Sequence, residues 1–212
     1  MKITALTVGA IQTNCYLVSD QNGDAVIIDP GAEPEKIAAC LAEEGLNPLA
    51  ILLTHGHFDH IGGVSALKER FGIPFYLHGA DTEMQADAKK NGSAAFGMPV
   101  PDLSGARTVA DGETVKAGNM TFTLLHTPGH TKGSCCYQAG DALFTGDTLF
   151  CGGVGRTDLY GGDWREILQS LGKLAALPGK FHIYPGHGPF SSLDAERAEN
   201  PYMGMNKHDD LF

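Results

Sequence analysis

Leu49-Ala50-Ile51-Leu52-Leu53-Thr54-His55-Gly56-His57-Phe58-Asp59-His60 is the stretch on which the reading of this chain turns. An apolar run of strand length ends in three imidazoles and a carboxylate. Such a cluster makes a poor core, because each ring must find a partner once it leaves water, but it is well suited to holding a metal ion. His55 and His57 are two apart, so an extended backbone turns both rings to one side. Asp59 and His60 open a helical spacing (Ile61, Val64, Leu67, Phe71), which predicts a helix over 60–71. The free N–H groups at a helix start favour anionic and metal-linked oxygens. A single loop histidine is usually solvated; so many ligand types so close together outweigh that reading, and the lack of Cys in the cluster argues against a structural zinc finger.

The rest of the composition bounds the answer. A chain of 212 residues with evenly spread apolar segments reads as one domain, 1–212. Its 28 Gly and 11 Pro are dispersed, which predicts many tight junctions and no linker. A formal net charge of −10 and a pI near 5.2 argue against nucleic acid or an anionic membrane as partner and leave a small molecule. Five cysteines, odd in number and without C-x-x-C, predict reduced thiols and a cytoplasmic protein. Residues 2–8 alternate Thr with apolar residues, so they are read as a first strand and not a signal peptide.

Strands are expected at 2–8, 14–19 and 24–29, the last two joined by the Asn22-Gly23 hairpin signal. A helix over 33–44 precedes the strand at 49–53. Beyond the cluster come a strand at 75–77, a polar helix over 81–90 and a loop over 91–103. Strands then follow at 107–109, 113–116, 120–126, 135–138 and 142–145, a helix at 163–177, a strand at 181–184 and a helix at 193–202. This mixture predicts an α/β (α+β) architecture of two mixed sheets packed face to face with helices outside.

Three later junctions repeat the arrangement of the first. Apolar strands run into His126-Thr127-Pro128-Gly129-His130, Gly146-Asp147 and Pro185-Gly186-His187, each placing an imidazole or carboxylate at a turn beyond a buried strand. Together His55, His57, Asp59, His60, His130, Asp147 and His187 exceed what one tetrahedral ion uses and suit two divalent ions sharing a carboxylate. His126 lies inside a strand run and is read as core or supporting; His78, His182 and His208 are read as structural or solvated.

With these residues in place the chain resembles the metallo-β-lactamase superfamily, which carries H-x-H-x-D-H followed by a single His, a single Asp and a single His. The likeness covers Asn14 to Leu17, Asp29-Pro30-Gly31, Thr54 to His60, His126 to Thr131, Thr145 to Thr148 and Pro185 to Gly188. Within the superfamily it is similar to the glyoxalase II (hydroxyacylglutathione hydrolase) group, whose fold is an αβ/βα four-layer sandwich. The resemblance implies His55, His57 and His130 on one ion, Asp59, His60 and His187 on a second, and Asp147 as bridge. It implies a pair of zinc ions, with iron or manganese as alternatives. β-Lactamases of the commonest type carry Cys where this chain has Asp147, which disfavours antibiotic hydrolysis.

Two departures bear on substrate. Glyoxalase II continues into a helical domain that grips glutathione, whereas only residues 188–212 follow His187, so a short form is expected. Arg156 stands in Gly155-Arg156-Thr157-Asp158 where that group places Lys; its planar fork is read as a clamp for a substrate carboxylate, against an ion pair with Asp158 or Asp163. The expected activity is hydrolysis of thioesters such as S-lactoylglutathione, with Asp59 passing the proton; a lactonase and an iron-dependent persulfide dioxygenase are the alternatives.

Overall fold

The computed structural model describes residues 1–98, 101 and 103–204; the expected position of His208 and part of the 91–103 loop lie outside them. Two six-stranded sheets face each other. The first runs, in spatial order, β1 (Lys2–Val8), β2 (Thr13–Ser19), β3 (Asp24–Ile28), β4 (Asn47–Leu52), β5 (Phe75–His78) and β6 (Arg107–Val109). Its β1–β3 meander is antiparallel, and β3 to β6 are parallel. In the second sheet the strands are β7 (Thr114–Ala117), β8 (Met120–His126), β9 (Cys135–Ala139), β10 (Ala142–Gly146), β13 (His182–Pro185) and β14 (Ser191–Ser192). A short ribbon, β11 (Leu149–Phe150) with β12 (Gly153–Val154), follows β10.

Strand alternation sorts the side chains into layers. Tyr16, Val18, Val26, Ile28 and Leu52 meet Phe122, Leu124, Tyr137 and Phe144 between the sheets. Their sequence neighbours Cys15, Leu17, Ile27 and Ile51 point outward against Ile37 and Leu41 of α1 (Pro34–Glu43) and Val64 and Leu67 of α3 (Val64–Phe71). On the far side Cys136, Leu143 and Ile183 pack on Leu171 and Leu174 of α4 (Trp164–Ala175) and Leu193 of α5 (Leu193–Glu199). Helix, sheet, sheet and helix make the expected four-layer sandwich, and each such core side chain removed from water contributes about 1.5–3 kcal/mol. The five thiols are unpaired, and Cys15, Cys135 and Cys136 serve as small core residues. No helix among the described residues is long and apolar enough to cross a membrane.

Two expected helices are corrected. The helix over 60–71 is two pieces, α2 (Phe58–Ile61) and α3, parted at Gly62-Gly63. There the chain crosses the Pro30-Gly31 backbone so closely that a Cβ on Gly63 would sit 2.7 Å from the Pro30 carbonyl oxygen. The polar helix over 81–90 is a 3₁₀ turn, Gly79–Met84, followed by turns, because Asp81 is fully buried and points inward.

Candidate metal centre

The candidate ligands gather where both sheets present their strand ends. Strand β4 hands over to Thr54, His55 and His57, then α2 carries Asp59 and His60; His130 follows β8, Asp147 follows β10, and His187 follows β13. Ligand atoms of His55, His57 and His130 lie within 4.8 Å of one another, as do those of Asp59, His60 and His187, and those of His55, His60 and Asp147. Asp147 stands between the first two groups: its Oδ1 is 3.3 Å from His60 Nε2, and its Oδ2 is 3.5 Å from His130 Nε2 and 3.6 Å from His187 Nε2. Asp59 Oδ2 lies 3.3 Å from His60 Nε2 and 3.2 Å from His187 Nε2. All seven residues of the expected set therefore converge.

Whether this cluster fits cations can be tested on its own atoms. Nε2 of His55 and His60 and Oδ1 of Asp147 are buried without a hydrogen-bond partner, and His57 turns its Nδ1 to the same place, 2.9 Å from His130 Nε2. Leaving even one buried polar atom unsatisfied costs about 1–3 kcal/mol, so several converging in one place demand an electrophile. The electrostatics of the cluster agree. Burial alone would push His60 down, yet the carboxylates of Asp59, Asp147 and Asp29 pull it well above the usual imidazole range, so a proton there stands in for missing positive charge. Against the opposing effect of burial, His60 holds Asp147 down at about 2 and, with His187, takes Asp59 far below the ordinary carboxylate range. Burial drives His55 well below its normal value, and burial with His130 takes His57 to about 3, so both rings are neutral and free to donate lone pairs. The donor set of imidazole and carboxylate, without thiolate, fits two divalent ions with Asp147 shared between them.

A second layer of groups aims these rings. Asp29 Oδ2 accepts from His60 Nδ1 at 3.0 Å and from Thr54 Oγ1 at 2.6 Å, and its Oδ1 accepts from Thr54 N at 2.8 Å. Because Thr54 Oγ1 spends its proton on Asp29, it accepts from His55 Nδ1 at 3.1 Å, and Nε2 of both histidines is turned to the cluster. The Arg156 carbonyl accepts from His130 Nδ1 at 2.7 Å with the same result. Asp81 accepts from Gly56 N, Thr131 Oγ1 and Gly133 N at 2.9, 2.7 and 2.6 Å, tying the His55–His57 turn to the loop of His130. Across the sheets, Asn14 Nδ2 donates to the carbonyls of Pro185 and Gly188, and Tyr16 Oη donates to Pro185 at 2.6 Å, which fixes the His187 turn.

Of these helpers, sequence reasoning noted Asp29 only as a strand end within the Asp29-Pro30-Gly31 likeness, and Asp81 only as the start of a polar helix. The left-handed φ of 51° at Asp29, which a glycine would ordinarily occupy, marks the Asp29 turn as built to aim its carboxylate. The Arg156 guanidinium makes the ion pair with Asp158, Nε to Oδ1 2.7 Å and Nη2 to Oδ2 2.6 Å, at the surface. His126 is neither core nor ligand: half-exposed at the end of β8, it donates to the Lys132 carbonyl and stacks on His78 with ring centres 4.0 Å apart.

Fold and site together define a class. Residues 8–187 match the metallo-β-lactamase superfamily, and the chain belongs to that superfamily of metallo-hydrolases. Among its relatives, a Bacillus subtilis protein described as a probable metallo-hydrolase, YqgX, is 41% identical over 96% of this chain and 98% of its own. Hydroxyacylglutathione hydrolase GloC of Haemophilus influenzae is 36% identical over the same shares. Of solved structures, the B3 metallo-β-lactamase BLEG-1 superposes with a TM-score of 0.90 at 40% identity, covering 95% of this chain and 99% of that one. TTHA1623, solved in a di-iron-bound form, superposes with a TM-score of 0.85 at 42% identity, covering 94% and 99%.

Proposed function

We propose that this protein hydrolyses thioesters, S-lactoylglutathione among them, at a binuclear site formed by His55, His57 and His130, by Asp59, His60 and His187, and by Asp147 between them. The observation that carries the reading is the set of buried, unpartnered nitrogens and the Asp147 oxygen aimed at a common space. The likeness to the Haemophilus influenzae hydrolase supports the substrate class. Two divalent ions bound there would make water a strong enough acid to supply a nucleophile at neutral pH and would polarise the scissile carbonyl.

The chain's own groups do the rest. Asp59, kept ionised and only slightly exposed, takes the proton that water gives up, and Thr13 Oγ1 holds its Oδ2 at 3.0 Å. The water oxygen bonds to the carbonyl carbon, the carbon–sulfur bond breaks with its electron pair on sulfur, and Asp59 returns the proton, leaving acid and thiol. A thiol with a pKa near 8.5 leaves as its anion far more readily than an amine does, which favours thioesters over amides. His187, on the more open side of the cluster, is the ligand beside which the substrate enters. The unpaired thiols support a reducing, cytoplasmic setting.

The test combines elemental analysis with a substrate panel. We expect close to two divalent ions per chain, zinc foremost, and hydrolysis of S-lactoylglutathione and of simpler thioesters. A single iron with sulfite release from glutathione persulfide would overturn the reading. The likeness to a B3 metallo-β-lactamase adds a β-lactam to the panel as a second activity of the same cluster.

A further inference from the structure

Next to Asp59 the surface opens into a groove that the cluster itself does not need. It is lined by Val8, Ile11, Ala32, Phe58, Phe96 and Met98, with Thr13 and Asp59 at its inner end, and has a volume of about 170 Å³. Ile11, Phe96 and Met98 are 39%, 59% and 50% exposed, an unusual outlay of apolar surface on a chain of net charge −10. Phe96 is not loose: its ring packs on Phe58, centres 4.7 Å apart, next in sequence to Asp59. Among the described lining residues the one charged side chain is Asp59, so a carboxylate entering here would meet a like charge and no counter-ion.

The groove touches the Asp59 end of the cluster and none of His55, His57 or His130. Resting on the thioesterase reading above, we propose that it holds an apolar chain carried by the leaving sulfur, so that the preferred substrates are thioesters of alkyl or aryl thiols and the glutathione thioester is a poor one. Occupancy would anchor the sulfur beside Asp59, where the proton is returned, and convert remote apolar contact into orientation of the scissile bond.

Two measurements test this separately. In the first, lactoyl thioesters of 2-mercaptoethanol, ethanethiol and butanethiol are compared, as are butanethiol thioesters of increasing acyl length. Each buried methylene is worth about a fourfold factor, so kcat/KM should rise about 16-fold over the two methylenes from the ethyl to the butyl thiol and stay flat along the acyl series. Phe96→Ala and Met98→Ser should each flatten the rise. A slope that follows the acyl chain, or S-lactoylglutathione outrunning the butyl ester, would overturn the proposal. In the second, methyl-labelled methionine spectra are recorded while butyl methyl sulfide or 2-(methylthio)ethanol is added to the metal-loaded protein. Saturable movement of the Met98 methyl signal with the first and not the second is expected; no movement, or equal movement, sinks the groove assignment. Because this readout needs no turnover, a protein that binds the butyl sulfide at Met98 yet cleaves no thioester would refute the proposed reaction and leave the groove standing.

Discussion

The first sheet and the second supply the cluster in different ways. One continuous turn after β4 delivers His55, His57, Asp59 and His60, and a single buried carboxylate, Asp29, aims two of these rings through Thr54 and His60. His130, Asp147 and His187 instead arrive one at a time from three strand ends, held by a main-chain carbonyl, by glycine-permitted close packing and by bonds from the opposite sheet. Where ligands are contiguous, one side chain can orient several; where they are scattered, each needs its own support. The first kind should be sensitive to a single substitution far more broadly than the second.

The largest effect is expected at the residue both halves share. Asp147→Ala should lower the metal content below one ion per chain and cut thioester turnover by well over about 100-fold, since orienting partners alone are worth about 10–100-fold. Retention of both ions, read by elemental analysis, would break the bridging assignment. Next comes Asp29→Ala, which touches no metal yet leaves Thr54 N and two ring orientations unsupported. A loss of about 10–100-fold in metal affinity is expected by competition with a chelator, with about 1–3 kcal/mol of stability lost from the unsatisfied amide. A variant that keeps wild-type affinity would show that the contiguous half needs no common support.

Smaller effects belong to the histidines outside the cluster. Burial, reinforced by the neighbouring His126, holds His78 at about 4, below its ordinary 6.5. The unfolded chain then binds that proton more tightly, so the contribution of neutral His78 to stability is complete above pH 6.5 and is lost as the pH falls toward 4. Melting temperatures of the protein and of His78→Gln should therefore converge across that window, and curves that stay parallel would remove the stacked pair from the acid response. His126→Ala should leave two ions bound. Least of all, Arg156→Ala should change kcat/KM by no more than about twofold, because the variant keeps the carbonyl that orients His130 while the lost side chain only faces Asp158. A larger fall would restore the guanidinium as a substrate clamp.

How much of this was legible follows from the same contrast. The run from Leu49 to His60 announces itself because apolar period and ligand types change abruptly at one point. His130, Asp147 and His187 were found by repeating that rule at other strand ends. Asp29 and Asp81 were not, since a buried acid that serves backbone amides looks in sequence like any turn or helix-start residue. Asp81 misled twice over: read as the polar face of a helix, it turns inward and stops one from forming. The break at Gly62-Gly63 was hidden because it depends on a chain crossing from Pro30 and Gly31 and not on local propensity. The two-residue strands β11, β12 and β14 are too short to carry any period.

The bonds from Asn14 and Tyr16 to the Pro185 turn join residues separated by 171 and 169 positions. During synthesis the first sheet, its helices and the His55–His60 turn can be in place long before β13 is made, whereas the closing imidazole comes last and must slot beside β10. The cluster is thus a lock whose bolt is cut at the end of manufacture: a ribosome-bound chain short of β13 lacks His187, and the set of seven is complete only when Asn14 and Tyr16 seize the returning turn. Pulse-labelled exchange during refolding should accordingly see the amides of Asn14 and Gly186, which bond to Gly186 and Gly146 carbonyls, gain protection together, after the strand core.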